Sequence, residues 1–342
     1  MTISDIAKLA AVSVATVSRV LNHKGKVSAN VEKKVLQIVK ENNYVPNIKG
    51  RSLRTSHTMM LLVMIPNISN SFYSKIVSGL EYSASKYGYN IIVAPTRNNP
   101  ATESKYFQML TSQQVDGIIS FSTCLSSEDI NLLASKYPFV IACECPPDIN
   151  LSTVSIDNYR AAYEAVSALI EKGHKKIGML TGTQYHASAL LREKGYQKAL
   201  QNYHIPYDEA LMVSCQYNYE SGILGTERLL ALPEPPTAIF CVCDDMAAGA
   251  IRCLHKKGLT AGKDIDIIGF DNTTLAEVYT PSISSVSQPC FDIGTTAVDL
   301  LMEKVRDITS TTKKVILPHD LIVRETFLTD RADSDSKREK IQ

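Results

Sequence analysis

Side chains that can hold a small polar molecule recur just after short apolar runs of this 342-residue chain. They include aromatic rings, an arginine, a histidine, hydroxyls and carboxylates, a set suited to stacking on a ligand and hydrogen-bonding it. Two of the carboxylates, Asp157 and Asp244, have a plainer explanation too, because each directly precedes a predicted helix that it could cap. The full set is Asn70, Phe72, Tyr73, Glu144, Asp157, His186, Ser188, Arg192, Tyr217, Tyr219, Asp244 and Asp271.

Motifs for covalent or metal-assisted chemistry are not evident in the sequence. It contains no GxSxG, no P-loop and no metal-ligand cluster, and GTQYHAS is not a phosphate loop. We therefore predict no enzyme activity, no cofactor and no metal. Eight cysteines occur. They include two CxC pairs, each at the end of an apolar strand-like run, and no histidine pair has zinc-finger spacing, which favours reduced core thiols over metal or redox sites. They are Cys124, Cys143, Cys145, Cys215, Cys241, Cys243, Cys253 and Cys290.

The elements that must position the polar residues are apolar strands alternating with helical patterns. One such series runs from MMLLVMI to TVSI and a second from KIGMLT to IDIIGF. Continuous apolar strands between helices predict parallel sheets covered on both faces, so we expect two doubly wound subdomains. After Gln288 a helix, Phe291–Arg306, and the runs KKVILP and DLIVRE predict that the chain crosses back between them. Ligands of such sheets lie at the carboxyl ends of the strands, which puts the polar residues in one cleft.

The amino-terminal stretch differs in charge from the rest of the chain. Residues 1–57 hold ten basic and three acidic residues, a net +7, which leaves −6 for the remainder of a chain whose total is +1. Apolar residues spaced by three and four predict three short helices, and the first two are separated only by 10–13, as in a helix-turn-helix. Thr2 with Asp5 predicts a capping box, and Ala11 falls where the turn needs positive φ. A basic module of this kind is typical of phosphate contact.

The ordered motifs DIAKLAAVSVATVSRVLN, KVS, NYVPN and GRSLR resemble the DNA-binding headpiece of the lactose/galactose repressor (LacI/GalR) family, and the similarity continues to about Phe327. The resemblance implies an all-α helix-turn-helix headpiece and an α/β, periplasmic-binding-protein-like core of two doubly wound parallel-sheet subdomains. The core looks most similar to the cytidine and purine repressors. The expected boundaries are a headpiece at 1–46, a hinge at 47–57, a core at 58–328 and a disordered tail at 329–342. Within the core they are 58–157 plus 288–319 for one subdomain and 158–287 plus 320–328 for the other.

The resemblance also implies how the headpiece contacts DNA. The second helix would enter the major groove, where Arg19 can bond guanine and two small apolar side chains can touch thymine methyls. The hinge would place Leu53 as a wedge in the minor groove. The implied base contacts are Val14, Ala15, Arg19, Leu53 and Arg54, and the implied phosphate contacts are Ser13, Thr16, Ser18, Asn22 and Tyr44. For Val14 the alternative is core packing, and for Leu53 it is a flexible linker.

The implied effector contacts fall in the predicted cleft. By similarity, three aromatic residues would stack on a sugar or nucleoside, and Arg192 and Asp271 would hydrogen-bond it. Purine repressors carry an arginine where His186 stands, and Glu144 matches the cytidine branch better. The full set is Phe72, Tyr73, Glu144, His186, Ser188, Arg192, Tyr217 and Asp271.

We therefore predict a transcriptional regulator, most simply a repressor, that binds palindromic operator DNA as a homodimer under control of a small effector. Effector in the cleft would shift the population between two arrangements of the subdomains. One alternative is a sugar-binding protein without a DNA function, which the +7 headpiece and the absence of a signal peptide disfavour. With no membrane-spanning run either, we expect a cytoplasmic protein.

Overall fold

The structure is a computed structural model that describes residues 1–21, 25, 27–44, 57–144, 146, 148–182 and 187–328. The predicted tail lies outside the described residues, as does the predicted hinge apart from His57. Four predicted site residues lie outside them as well: Asn22, Leu53, Arg54 and His186. The described residues form two compact units, which divide between Met59 and Met60.

The amino-terminal unit is the predicted set of three helices. They are α1 Ile3–Ala10, α2 Val14–Leu21 and α3 Ala29–Glu41. The apolar faces meet in a small core, to which Ile6, Val17, Val20 and Val35 contribute fully buried side chains. The three- and four-residue spacing of the apolar residues therefore correctly predicted the three helices and the faces by which they pack.

Local contacts fix the start of α1, and a left-handed residue makes the turn at its end. The Thr2 backbone N–H donates to the Asp5 carboxylate over 2.8 Å and the Asp5 N–H to the Thr2 hydroxyl over 3.3 Å, which completes the predicted capping box. Ala11 adopts φ +55° and ψ +43°, the left-handed conformation expected at this turn. An alanine there carries a cost of about 1 kcal/mol relative to its right-handed conformation.

The second unit contains two six-stranded sheets. The first has strand order β11-β5-β4-β3-β1-β2 and the second β12-β10-β9-β8-β6-β7. All neighbours pair in parallel except β10 and β12. The strands of the first sheet are β1 Met60–Ile65, β2 Asn90–Pro95, β3 Gly117–Ser120, β4 Phe139–Ala142, β5 Ser152–Ile156 and β11 Lys314–Leu317. Those of the second are β6 Ile177–Thr181, β7 Met212–Ser214, β8 Ala238–Cys241, β9 Asp266–Asp271, β10 Ser284–Ser287 and β12 Asp320–Ile322. We call the elements around each sheet the first and the second lobe.

Helices cover both sheets, and most lie where the apolar pattern placed them. They are α4 Ser71–Lys86, α5 Pro100–Thr111, α6 Ser127–Ala134, α7 Asn158–Glu171, α8 Ala187–Asn202, α9 Tyr219–Leu230, α10 Asp244–Lys256, α11 Thr274–Val278 and α12 Cys290–Arg306. Helices α6 and α11 and strand β10 were not predicted from the sequence. The β10 sequence SSVS has little apolar character, yet Ser284 and Ser285 are fully buried. Their burial is tolerated because the two hydroxyls donate hydrogen bonds, to the Arg324 carbonyl and to the Asp244 carboxylate.

The chain passes between the lobes at three points, and the last two return a single strand to each sheet. It leaves the first lobe after β5, returns through α12 after β10, and crosses again between β11 and β12. His319 lies on the last crossing and its Nε2 is 3.0 Å from a Glu164 carboxylate oxygen on α7. The two lobes are therefore joined by three segments of chain.

Candidate functional site

A cavity of about 570 Å³ lies between the carboxyl ends of the two sets of strands. Every described residue that was predicted to contact an effector lines it. Three come from the first lobe, at the ends of β1 and β4, and four from the second lobe. The seven are Phe72, Tyr73, Glu144, Ser188, Arg192, Tyr217 and Asp271. The expectation that ligand-binding residues follow the carboxyl ends of parallel strands, which we call the strand-end rule, therefore selected residues that lie together.

Aromatic rings form the first-lobe side of the cavity. Tyr73 packs between Phe72 and Phe121, with ring centroids 5.4 Å apart in both pairs. Asn70 starts α4 there, and its side chain accepts a hydrogen bond from the Phe72 N–H over 2.9 Å. This cap fixes the first turn of α4, from which both predicted aromatic residues project. Burial raises the pKa of the Tyr73 phenol, which therefore stays neutral.

Arg192 is the buried cation of the second-lobe side. Its Nε donates to the Asn158 side chain over 2.9 Å, and its Nη1 donates to the Val242 carbonyl. The guanidinium carbon lies 3.5 Å from the centroid of the Phe270 ring, and Nη2 is 4.0 Å from the Asp271 carboxylate. Held by α7, β8 and β9 together, the guanidinium is fixed with one edge at the cavity wall.

Asp271 supplies the facing carboxylate from a strained position. Its φ of +98° lies where side-chain-bearing residues are rare, and Asn272 follows at φ +47°. The Gln288 amide donates to its carboxylate over 2.7 Å. Burial raises the pKa of Asp271 to about 6, against the opposing effects of Arg192 and Gln288, which favour the charged form. The Asp271 carboxylate is therefore a hydrogen-bond acceptor at neutral pH, with one hydrogen bond from Gln288 and a guanidinium 4.0 Å away.

Glu144 and Ser188 join the two lobes across the cleft. Glu144 follows β4 of the first lobe, and Ser188 lies in the first turn of α8 of the second. The carboxylate accepts from the Ser188 N–H over 2.8 Å and from its hydroxyl over 2.6 Å. Both residues are buried. A helix amino terminus favours an anion, so this contact stabilises the arrangement of the lobes in this structure.

Tyr217 presses its ring against the backbone at the end of β6. A Cβ at Gly182 would lie 2.5 Å from both the ring and the phenolic oxygen of Tyr217, so glycine is required for this approach. Burial raises the pKa of the phenol here too. Tyr219, named alongside it from the sequence, begins α9 and does not line the cavity.

The two carboxylates with a capping alternative separate in the structure. Asp157 is the N-cap of α7 and accepts the Arg160 N–H over 2.9 Å, so the plainer explanation is right for it. Asp244 caps nothing of its own helix, whose N-cap is Cys243. Its buried carboxylate instead accepts from Thr273 and Ser285, and neither Asp157 nor Asp244 lines the cavity.

Several cavity residues were missed by the sequence analysis. Arg97 and Asn98 follow β2 with φ of +55° and +50°, and Phe121 follows β3. The strand-end rule covers all three, because each follows a strand of the first sheet. Gln288 could not have been found that way, because it follows β10, which was not predicted. The remaining missed lining residues are Pro66, Asn67, Cys143, Gln216 and Asn218.

The exposed face of α2 carries the residues predicted to contact bases. Val14 is 41% exposed, and Ala15 and Arg19 are exposed as well. The core-packing alternative for Val14 is therefore wrong, since Val17 and Val20 are the buried residues of α2. Among the predicted phosphate contacts, the Ser13 hydroxyl accepts the Thr16 N–H over 3.1 Å, and Ser18 and Tyr44 are partly exposed.

No helix within the described ranges is long and apolar enough to cross a membrane. In those same ranges, no group of three or more histidine, cysteine, aspartate or glutamate residues is placed to hold a metal ion.

A basic helix-turn-helix unit followed by a two-lobed unit with a ligand-sized polar cavity defines a ligand-responsive DNA-binding regulator. Two family models match this chain accordingly. The model of bacterial regulatory proteins of the lacI family matches residues 2–47, and that of periplasmic binding proteins and the sugar binding domain of the LacI family matches residues 58–325.

Full-length relatives and solved structures agree. The chain is 38% identical to catabolite control protein A of Priestia megaterium, covering 95% of this chain and 99% of the relative. It is 33% identical to the HTH-type transcriptional repressor CytR of Escherichia coli strain K12, covering 94% and 95%. The lac repressor dimer bound to operator and the anti-inducer ONPF is 27% identical with a TM-score of 0.86, covering 96% and 99%.

The chain belongs to the lacI family of bacterial regulatory proteins. It is a DNA-binding transcriptional regulator with a ligand-binding core, as the resemblance of its opening motifs implied. A ligand-binding protein without a DNA function is not favoured, because the headpiece matches the family model as well as the core does.

Proposed function

We propose that this protein is a repressor whose affinity for operator DNA is set by a sugar or nucleoside bound between the lobes. The observation that carries the proposal is the cavity of about 570 Å³, where aromatic rings face a buried arginine and a buried carboxylate. Rings stack on the apolar faces of such ligands, while the charged pair bonds hydroxyls or a base edge. The lac repressor structure holds operator and a small ligand together, which supports the same combination here.

On DNA, α2 enters the major groove. Arg19 donates to guanine, and the exposed Val14 and Ala15 contact thymine methyl groups. Leu53 and Arg54 reach the minor groove, where the leucine wedge bends the duplex. The phosphate contacts that set the register are Ser13, Thr16, Ser18, Asn22 and Tyr44. Two copies bind a palindromic site, and because the target is chromosomal DNA we place the protein in the cytoplasm.

In the cleft, Phe72, Tyr73 and Tyr217 stack on the effector, and Arg192 and Asp271 bond its polar edge. Glu144, His186 and Ser188 complete the contacts. The protein divides accordingly into a headpiece at 1–46, a hinge at 47–57, a core at 58–328 and a tail at 329–342. We assign 58–157 with 288–319 to the first lobe and 158–287 with 320–328 to the second, which is supported by the return of one strand to each sheet.

A mobility-shift titration with the DNA upstream of the protein's own gene tests the DNA-binding half. Wild type should shift one palindrome at moderate salt, and Arg19→Ala should weaken binding by roughly 10- to 100-fold because a bidentate base contact is worth about 1–3 kcal/mol. Leu53→Ala should reduce both affinity and DNA bending with the fold intact. The matched control is Arg160→Ala on the core surface, which should bind like wild type. Absence of any shift at low salt would reject the proposal.

A thermal-shift screen of D-ribose, D-glucose, cellobiose, cytidine and adenosine tests the effector half. Calorimetry on the strongest binder should show at least a tenfold loss of affinity in Asp271→Ala and in Arg192→Ala, because each leaves its partner group buried and uncompensated. Asp157→Ala is the matched control, since that carboxylate only caps a helix. Wild-type affinity in both cleft variants would remove them from the site.

A further inference from the structure

The Asp271–Asn272 turn adopts backbone conformations that are uncommon for residues with a side chain. Both residues have positive φ, +98° and +47°, and neither is glycine. Such conformations persist only where surrounding contacts over-determine them. Asp271, the first residue of the turn, lines the cavity from the second lobe. The groups that hold the turn therefore control where the Asp271 carboxylate points.

Arg324, Ser287 and Lys75 bond the side chain and carbonyl of Asn272, while the buried carboxylate of Asp244 serves the backbone amides behind the turn. One oxygen accepts from the Thr273 N–H over 2.6 Å and from the Thr273 hydroxyl over 2.9 Å. The other accepts from the Ser285 hydroxyl over 2.6 Å, and the same hydroxyl oxygen accepts the Asn272 N–H over 3.0 Å. Both backbone amides that follow Asp271 are thus tied to Asp244, one directly and one through Ser285.

The sheet is shaped to admit this carboxylate. A Cβ at Gly269, two residues before Asp271 on β9, would lie 2.6 Å from the Asp244 carboxylate oxygen. Asp244 is 1% exposed and stands outside the cavity lining. Its burial is costly, because an enclosed carboxylate loses its hydration. In the described residues its carboxylate accepts no capping hydrogen bond from its own helix, and its hydrogen bonds go to Thr273 and Ser285.

We propose that Asp244 is a positioning residue of effector recognition, which holds the strained Asp271–Asn272 turn so that the Asp271 carboxylate is presented to the ligand. The inference rests on the proposed function of the cleft. Asp244 itself does not contact the ligand. Its effect passes through the backbone amides of Asn272 and Thr273, whose hydrogen-exchange rates can be measured separately from ligand affinity.

Hydrogen exchange on the full chain measures that readout directly. In Asp244→Ala the amides of Asn272 and Thr273 should exchange at least tenfold faster, because their acceptors are lost or released. In Asp244→Asn the remaining amide oxygen still accepts from Thr273, so exchange should stay near the wild-type rate. Asp157→Ala is the matched control, because this carboxylate also lies between a strand and the first turn of a helix but bonds Arg160 of its own helix.

Calorimetry with the strongest binder among D-ribose, D-glucose, cellobiose, cytidine and adenosine completes the test. Affinity should fall at least tenfold in Asp244→Ala, recover largely in Asp244→Asn and remain unchanged in Asp157→Ala. Wild-type affinity in a folded Asp244→Ala variant would overturn the proposal, as would unchanged exchange at Asn272 and Thr273. Should Asp244→Ala fail to fold, Ser285→Ala, which removes the link to Asn272, is measured in its place with the same expectations.

Failure of the proposed function gives a different result. If none of the five compounds binds the wild type, the effector class is rejected, while the exchange rates still decide whether Asp244 holds the turn.

Discussion

Replacing Glu144 by glutamine tests whether the contact between Glu144 and Ser188 holds the cleft closed. The variant keeps an oxygen that accepts from the Ser188 N–H, and the serine hydroxyl can reverse to accept from the new amide. The change therefore removes the charge and preserves the geometry of the two contacts, which are 2.8 and 2.6 Å long with Glu144. Only the strength of the interlobe contact is altered.

The expected size follows from the two hydrogen bonds. A bond to a charged group contributes about 1.5–3 kcal/mol and a neutral one about 0.5–1.5 kcal/mol. With both partners buried, the loss over two bonds is about 2 kcal/mol. That difference corresponds to a change of roughly 30-fold in the ratio of closed to open protein.

The amide of Ser188 reports this ratio directly. It lies in the first turn of α8, where N–H groups have no acceptor within the helix, so Glu144 protects it. Amide hydrogen exchange should therefore be roughly 30-fold faster in Glu144→Gln. Glu193→Gln is the matched control, because Glu193 bonds Thr181 within the second lobe. Ser188 exchange that is equal in Glu144→Gln and wild type would refute this account of cleft closure.

Three further predictions follow from individual contacts. Gly182→Ala should lower the free energy of unfolding by about 1–3 kcal/mol and weaken effector binding, because the new Cβ would displace Tyr217. Chemical denaturation and calorimetry measure the two effects, and an unchanged denaturation midpoint would contradict the prediction. Burial raises the pKa of Asp244 to about 7, so the folded state binds more protons than the unfolded state between about pH 4 and 7, and this group's contribution to stability falls as pH rises. Asp244→Asn should therefore gain up to about 1.4 kcal/mol per pH unit relative to wild type across that window in denaturation at several pH values, and a constant difference would contradict the assignment. Ala11→Gly should stabilise the amino-terminal unit by up to about 1 kcal/mol in thermal unfolding, because glycine tolerates φ +55°, and destabilisation would show that the turn is not strained.

Much of the fold was predictable because its signals are local. Three- and four-residue spacing defined the helices of the amino-terminal unit, and alternating apolar strands and helices predicted the two sheets. The chain order of the last strands also predicted the return to each lobe. The prediction failed at Ser284–Ser287, where burial depends on hydroxyls finding distant partners such as Asp244 and the Arg324 carbonyl. It also missed α6, whose eight residues bury only Ile130 fully.

The sequence by itself identified many of the side chains that come to the cleft, because residues that follow parallel strands lie at the same edge of their sheet. Phe72, Glu144 and Asp271 were found on that ground. Only the tertiary structure decided what these side chains do to one another. The partner of Glu144 is 44 residues away in the other lobe, and Asp244 serves a turn 29 residues away while Asp157, in the same local setting, caps its own helix. Hydrogen-bond partners over such separations are chosen by how sheets and helices pack, and local propensity carries no information about that choice.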